Sequence, residues 1–322
     1  MVVRDRLTMA TGPDVAASRA FQRVAFDLAD GRLAALRFPA ETPKRRMLFC
    51  HANGFCASAY LKVFDALPRD IEVLALDLRG HGRTQLPANP RTHRSWEVYG
   101  RDINAVLDRI GPDDGDWILA GHSMGAVSVL LAAAGRRGSR VADLRLIEPP
   151  VLPSAFRALA RTPFARPVLA RTTMVKGALG RRAHWPDRDA ALASYAGKTF
   201  FSSWAPGVLA DYLVDGLADA TDGDGVRLAC APEWEAANFM SHAHPVFGAV
   251  RTFHLATDVR ISLLAAGPRS TVSRGDRLRF RSAGAHVRET RAAGHLLPME
   301  RPKLAAAFLV GRDIAAFEAE NA

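Results

Sequence analysis

The chain has 322 residues, 48% hydrophobic and 24% charged, with 43 Lys plus Arg against 33 Asp plus Glu and a formal net charge of +10. That apolar content supports a packed core and excludes wholesale disorder. No run of about 18 uncharged apolar residues is present to cross a membrane. The basic residues are nearly all arginine, in short groups such as Lys44–Arg45–Arg46, Arg136–Arg137 and Arg181–Arg182. They form no dense basic block with aromatics between, the pattern that nucleic-acid binding favours. The N-terminal MVVRDRLTMATGPD lacks the apolar stretch of a secretory signal. Three cysteines (Cys50, Cys56 and Cys230) make no disulfide framework. The expectation is a cytoplasmic protein with a small-molecule substrate, no nucleic acid and no membrane span.

In chain order, residues 1–18 read as a polar lead-in. Phe21–Leu28 and Arg32–Phe38 flank Asp30–Gly31, a strong hairpin signal. Met47–Cys50 is an apolar run entering a small-residue loop, and predicts a buried strand. Ala57–Leu67 has helical spacing. Val73–Leu76 is a second buried strand, ended by Asp77 and the glycines that follow. Ser95–Ile110 has helical periodicity with Ser95 as its cap. Trp117–Ala120 predicts a strand, Met124–Ala134 a helix and Leu144–Ile147 a strand closed by Glu148-Pro149-Pro150.

Residues 151–250 break this alternation, with helical pieces, several prolines and most of the tryptophans. It resumes with Val259–Ala266 as strand, Val272–Ser282 as helix, His286–Thr290 as strand and Pro302–Phe317 as a terminal helix. Buried strands alternating with helices predict an α/β fold with a mostly parallel, doubly wound sheet. The expected organisation is a core of 19–150 and 251–322 with a helical cap at 151–250. The cap would sit over the carboxyl edge of the sheet, where ligands bind in such folds.

The sharpest motif is Gly121-His122-Ser123-Met124-Gly125, after a strand and before a helix. G-x-S-x-G in that context is a nucleophile elbow, a tight turn that exposes a serine hydroxyl. The helix N-terminus beside it favours a developing oxyanion. A serine needs a base. His295, in Gly294-His295-Leu296-Leu297-Pro298, follows the last predicted strand and falls on the same sheet edge.

These segments, with His51-Ala52-Asn53-Gly54-Phe55 and Asp77-Leu78-Arg79-Gly80-His81-Gly82, resemble the α/β-hydrolase superfamily in its capped form over about residues 20–320. The resemblance implies oxyanion-hole N–H groups from Asn53, with Phe55 as the alternative, and from Met124. It implies a structural role for Asp77–Gly82. Haloalkane dehalogenases carry a similar His-Gly-Asn-Pro loop but use an aspartate nucleophile and an adjacent tryptophan, where this chain has Ser123 and Met124.

One departure stands out. The family's usual acid position holds Gly267-Pro268-Arg269-Ser270, and a serine cannot stay ionised. Glu148 is the substitute candidate, because some family members take their acid from the end of that strand. Asp258 lies at the wrong strand end and Asp276 a helical turn or more too far along.

The expected chemistry is serine hydrolysis of a carboxylic ester, thioester or lactone by Ser123, His295 and Glu148. It needs no cofactor and no metal. His242 and His244 form only an H-x-H, weak as a metal signal. An acyltransferase, C–C hydrolase or perhydrolase would use the same site, and a non-catalytic binder would explain Ser270. Trp185, Phe200, Phe201, Trp204, Trp234, Phe239 and Met240 supply either an acyl pocket or the cap's own core. Arg157, Arg161, Arg166, Arg171, Lys176, Arg181 and Arg182 raise the question whether the cap steers an anionic substrate.

Overall fold

The computed structural model describes residues 18–321 apart from 112–115, 137–138, 153–161, 163–164, 221–222, 242 and 268. Residues 1–17 of the expected lead-in, Arg157, Arg161, His242 and Pro268 lie outside the described residues. The described strands are β1 (Gln22–Leu28), β2 (Gly31–Phe38), β3 (Arg45–Cys50), β4 (Ile71–Leu76), β5 (Trp117–His122), β6 (Val141–Ile147), β7 (His184–Trp185), β8 (Leu217–Asp219), β9 (Val226–Leu228), β10 (Arg260–Ala265) and β11 (His286–Glu289). The helices of the first half are α1 (Leu61–Asp65), α2 (Glu97–Ile110), α3 (Met124–Gly135), α4 (Ala165–Leu169), α5 (Thr173–Leu179) and α6 (Arg188–Ala196). Those of the second half are α7 (Val208–Gly216), α8 (Pro232–Phe239), α9 (Val246–Ala256), α10 (Arg274–Ser282), α11 (Leu297–Glu300), α12 (Pro302–Leu309) and α13 (Ile314–Glu320).

The main sheet runs β1-β2-β4-β3-β5-β6-β10-β11. β1 pairs antiparallel with β2, and β2 with β4; the remaining neighbours are parallel. Successive side chains alternate between two apolar layers, as the strand period of two requires. Leu48, Leu74, Leu76 and Leu119 pack on one face with Ile103, Val127, Val250 and Phe253. Met47, Phe49, Val73 and Ala120 pack on the other with Tyr60, Phe64, Leu304 and Phe308. Both faces are covered, so the strands carry apolar runs rather than polar alternation.

Chain order reverses around β3: its next strand in sequence lies on one side of it and β5 on the other. A crevice at the carboxyl ends forms at such a switch point. Register then aligns those ends. Cys50 pairs with Gly121, His122 with Ile147, and Ile147 with Leu264. The ladder continues one residue further, with Ser123 N–H on Ile147 O and Glu148 N–H on Leu264 O, both at 2.9 Å.

Several elements differ from the sequence expectation. α2 begins at Glu97, although the Ser95 hydroxyl does accept the Glu97 N–H at 3.2 Å. The terminal helix is two, α12 and α13, because the chain turns at Gly311 with φ +83° and restarts at the Asp313 cap. The stretch expected to be a helical cap also carries a three-stranded antiparallel sheet, β7-β9-β8. Its strands have two or three residues each, too short for a period-2 pattern to declare itself. α9 spans the expected boundary at 250 and buries Val246, Val250 and Phe253 in the core layer.

Candidate active site

The turn after β5 places Ser123 at φ 55°, ψ −119°, a conformation nearly reserved for glycine. It persists because the neighbours allow nothing larger. A Cβ on Gly125 would fall against the Cys50 and His51 carbonyls, and one on Gly121 against the Gly125 backbone. Glu148, the first residue after β6, also has a positive φ, 50°.

Ser123, His295 and Glu148 form one hydrogen-bonded line. Ser123 Oγ lies 3.0 Å from His295 Nε2, and His295 Nδ1 lies 3.1 Å from Glu148 Oε2. An ionised carboxylate only accepts, so the proton sits on Nδ1 and the Nε2 lone pair faces the serine. The Glu148 side chain is fully buried. Its Oε1 accepts from Ala266 N–H and the Ser270 hydroxyl, both at 2.6 Å. Its Oε2 accepts from Thr271 N–H at 2.9 Å and the Thr271 hydroxyl at 3.2 Å. Burial alone would raise this acid. The hydrogen bond and charge of His295, with the bonds from Ser270 and Ala266, outweigh it and hold the carboxyl below its usual value.

Ser270 therefore donates to the Glu148 carboxylate rather than standing alone. The loop after β10, which usually carries the acid in the family resembled, here wraps a carboxylate reaching in from β6. Asp276 is elsewhere, taken up by Ser273 and Arg279 at the start of α10. Asp258 precedes β10, at the end of the strand away from His295.

The loop after β3 lies across from the elbow. Ala52 N–H donates to Tyr60 Oη at 3.0 Å, Gly54 N–H to His81 Nε2 at 3.1 Å and Phe55 N–H to Ala52 O at 3.2 Å. Among the described residues nothing accepts the Asn53 N–H, whereas the Phe55 N–H is taken up by Ala52 O. Met124 opens α3, and its N–H has no acceptor within the helix.

A link that sequence alone does not reveal joins this loop to His295. Tyr60 Oη, holding Ala52 N–H, lies 2.8 Å from His122 Nδ1, and His122 Nε2 lies 2.8 Å from the His295 carbonyl. A carbonyl only accepts, so His122 carries its proton on Nε2. Burial, then the neighbouring His295, pushes His122 down to about 3, so it stays neutral. His122 was visible inside the elbow motif; Tyr60 and Thr271 had no signal beyond their helix or loop.

Above the line opens a cavity of about 780 Å³. Ser123, Met124, Asn53 and His295 line it from the core, and Phe200, Phe201, Trp204 and Phe239 from the segment after β6. Trp185 and Trp234 are buried away from it; Trp234 donates to Arg79 O at 3.0 Å. Arg79 is structural, bridging Asp102 and Asp30. His244 Nε2 accepts the Trp96 N–H at 3.1 Å. Of the basic residues noted, Arg181 reaches the cavity, but its charge is met by an ion pair with Glu235. Cys50, Cys56 and Cys230 are buried free thiols, and burial pushes each one up.

With this geometry in view, the family relationship is direct. The chain matches the alpha/beta hydrolase family over residues 47–308 and belongs to it. No curated protein sequence matches it. Among solved structures it is similar to E-2-(acetamidomethylene)succinate hydrolase, at 19% identity and a TM-score of 0.69, covering 94% of this chain and 100% of that one. It is also similar to the thioesterase domain from the curacin biosynthetic pathway, at 18% identity, TM-score 0.65 and coverage of 90% and 99%. An esterase from Mycobacterium tuberculosis shows 19% identity, TM-score 0.63 and coverage of 94% and 92%. These likenesses are likenesses of fold. No helix among the described residues is long and apolar enough to cross a membrane.

Proposed function

We propose that the protein is a serine hydrolase that cleaves a carboxylic ester, thioester or lactone through an acyl-enzyme. The observation that carries the reading is the line Ser123 Oγ–His295 Nε2 at 3.0 Å and His295 Nδ1–Glu148 Oε2 at 3.1 Å, opening into an apolar cavity. Ser123 Oγ attacks the carbonyl carbon while His295 Nε2 takes its proton. Glu148 fixes the Nδ1–H tautomer and stabilises the imidazolium as it forms. The Asn53 and Met124 N–H groups receive the oxyanion. His295 then protonates the leaving alcohol or thiol, and the acyl group stays on Ser123. Water, deprotonated by the same imidazole, attacks the acyl carbonyl and frees the acid and the serine.

The reading of the chain as a non-catalytic binder rested on Ser270. A carboxylate seated against Ser270 and 3.1 Å from the imidazole removes that motive. The test is labelling with a fluorophosphonate probe, followed by peptide mapping, beside hydrolysis of p-nitrophenyl acetate. Covalent labelling at Ser123, with both labelling and turnover lost in Ser123→Ala, is the expected result. A folded parent protein that takes no label, or a Ser123→Ala variant that keeps full turnover, overturns the reading.

A further inference from the structure

The proposed oxyanion donor, the Asn53 N–H, lies in a loop whose small residues do not fix themselves. Ala52, Asn53 and Gly54 carry little apolar surface, and Gly54 sits at φ +76°. The bonds that hold this loop come from both sides of the crevice. The core supplies Tyr60, on Ala52 N–H, and His81, on Gly54 N–H. His51 Nδ1 and Phe55 N–H hold the Ala52 carbonyl, and the segment inserted after β6 holds Asn53 and the Gly54 carbonyl.

Asn53 Nδ2 donates to the Glu235 carbonyl at 3.0 Å, and Asn53 Oδ1 accepts from Asn238 Nδ2 at 3.0 Å; both partners are on α8. Asn238 is fully buried and is itself fixed, since its Oδ1 accepts the Tyr99 hydroxyl at 2.7 Å and its carbonyl the Trp96 indole N–H at 3.1 Å. The Gly54 carbonyl accepts the Tyr212 hydroxyl, from α7, at 3.1 Å. That hydroxyl accepts in turn from Arg181 Nη2 at 3.0 Å, and Arg181 is ion-paired with Glu235. A Cβ on Gly54 would sit 2.9 Å from the Glu235 carboxyl carbon, so the Glu235 side chain packs directly on the Gly54 backbone.

We infer that α7 and α8 set the oxyanion donor: Asn238 and Tyr212 are positioning residues that aim the Asn53 N–H at the substrate oxygen. The inference rests on the acyl-transfer reading above. An oxyanion donor acts only at about 2.7–3.1 Å from where the charge develops. The direction of the Asn53 N–H is the orientation of the 52–53 peptide plane, whose carbonyl edge, Ala52 O, accepts from His51 Nδ1 at 2.7 Å and from Phe55 N–H at 3.2 Å. The side-chain bonds from α8 fix Asn53 on the other side of that plane, and the carbonyl bond from α7 fixes Gly54 after it. The aim of the donor therefore depends on the inserted segment as well as on the core, and a buried polar network of this kind works only when all its members are paired.

Two variants test this with p-nitrophenyl acetate, whose acyl group is too small to fill the cavity. Tyr212→Phe removes one hydroxyl and keeps the ring; Asn53→Ala removes both α8 bonds and keeps the backbone N–H. Each is expected to lower kcat by about 10- to 100-fold with KM within about threefold, since one whole oxyanion donor is worth about 10²–10³. The fluorophosphonate labelling rate falls by the same factor. The pH profile of kcat/KM keeps its midpoint, because the Ser123–His295–Glu148 line is untouched. Losing the α8 bonds or the α7 bond releases the same donor, so the double variant falls no more than about threefold below the weaker single one.

If Tyr212→Phe and Asn53→Ala both keep kcat within about threefold, or lose only in KM, the inference is overturned. A shifted pH midpoint overturns it too, since the damage then lies in the base. Tyr212→Phe, which alters one oxygen, decides the matter if Asn53→Ala does not fold. A parent protein without label at Ser123 sinks the acyl-transfer reading instead; a labelled parent with unaffected variants sinks only this one.

Discussion

Replacing Glu148 by glutamine tests the acid, because the structure specifies what an amide does there. The carboxylate accepts from Ala266 N–H and Ser270 on one oxygen, and from Thr271 N–H, Thr271 Oγ1 and His295 on the other. Glutamine must turn its NH₂ to one of these sides. Toward Ala266 it faces a backbone donor that cannot rotate away. Toward Thr271 it faces another, and also pushes the His295 proton from Nδ1 to Nε2, where it meets the serine. The first orientation leaves a buried donor unpaired, at about 1–3 kcal/mol of stability. The second adds loss of the tautomer, which in a serine protease costs about 10⁴ in turnover, or about 5 kcal/mol of barrier.

The expected result for Glu148→Gln is a lowered melting temperature in either orientation, with kcat reduced by up to about 10⁴ and KM nearly unchanged where the amide takes the second. Stopped-assay kinetics on p-nitrophenyl acetate, the fluorophosphonate labelling rate and a thermal melt measure the three quantities. Adding Ser270→Asp to Glu148→Gln puts a carboxylate within the same donor nest, since Ser270 Oγ lies 2.6 Å from the Glu148 oxygen it binds. It should recover at least tenfold (about 1.4 kcal/mol) of the loss. A Glu148→Gln protein with a parental melting temperature and kcat within about tenfold of parent would refute the reasoning, because no amide satisfies both donor sets and the tautomer.

Other consequences follow from strain, space and protonation. Ser123→Gly should melt above Ser123→Ala, because φ 55°, ψ −119° stores about 1–3 kcal/mol in a non-glycine residue; equal melting temperatures would mean the elbow is not strained. Gly125→Ala should fail to fold or lose labelling at Ser123, since its methyl group meets the Cys50 and His51 carbonyls; soluble, fully labelled protein would contradict the packing.

Acid should destabilise the protein below about pH 6.5. Burial keeps His51 well below its usual value, His81 at about 4 and His122 at about 3. The unfolded chain then binds protons that the folded one refuses, so stability falls with pH. At pH 5.5 His81 and His122 each cost about 1.4 kcal/mol. The depressed Glu148 contributes stability that is present above the unfolded carboxylate value of about 4.3 and is lost as pH falls through its folded value. Asp77, raised by burial to about 7, and Asp211, raised to about 6, take up protons in the folded state over the same range and offset part of this loss, so the check is histidine ring NMR at pH 5.5, and a protonated His122 in folded protein would contradict the reasoning.

The sequence by itself determined the alternation of buried strands and helices, because parallel strands covered on both faces need apolar runs that periodicity detects. It also marked Ser123 and His295, since the elbow glycines and the loop after the last strand are local features. Glu148 was nominated by an absence, at Ser270, and by its strand end. Only tertiary structure decided how that carboxylate is held, because Ala266, Ser270 and Thr271 lie more than 100 residues away in sequence and meet it through the register of β6 on β10. The inserted segment was least legible. Its strands are two or three residues long, and its polar groups reach Asn53 and Gly54 across more than 150 residues of chain. Asn238 and Tyr212 carry no motif, because what makes them matter is the carbonyl or amide each one meets in space.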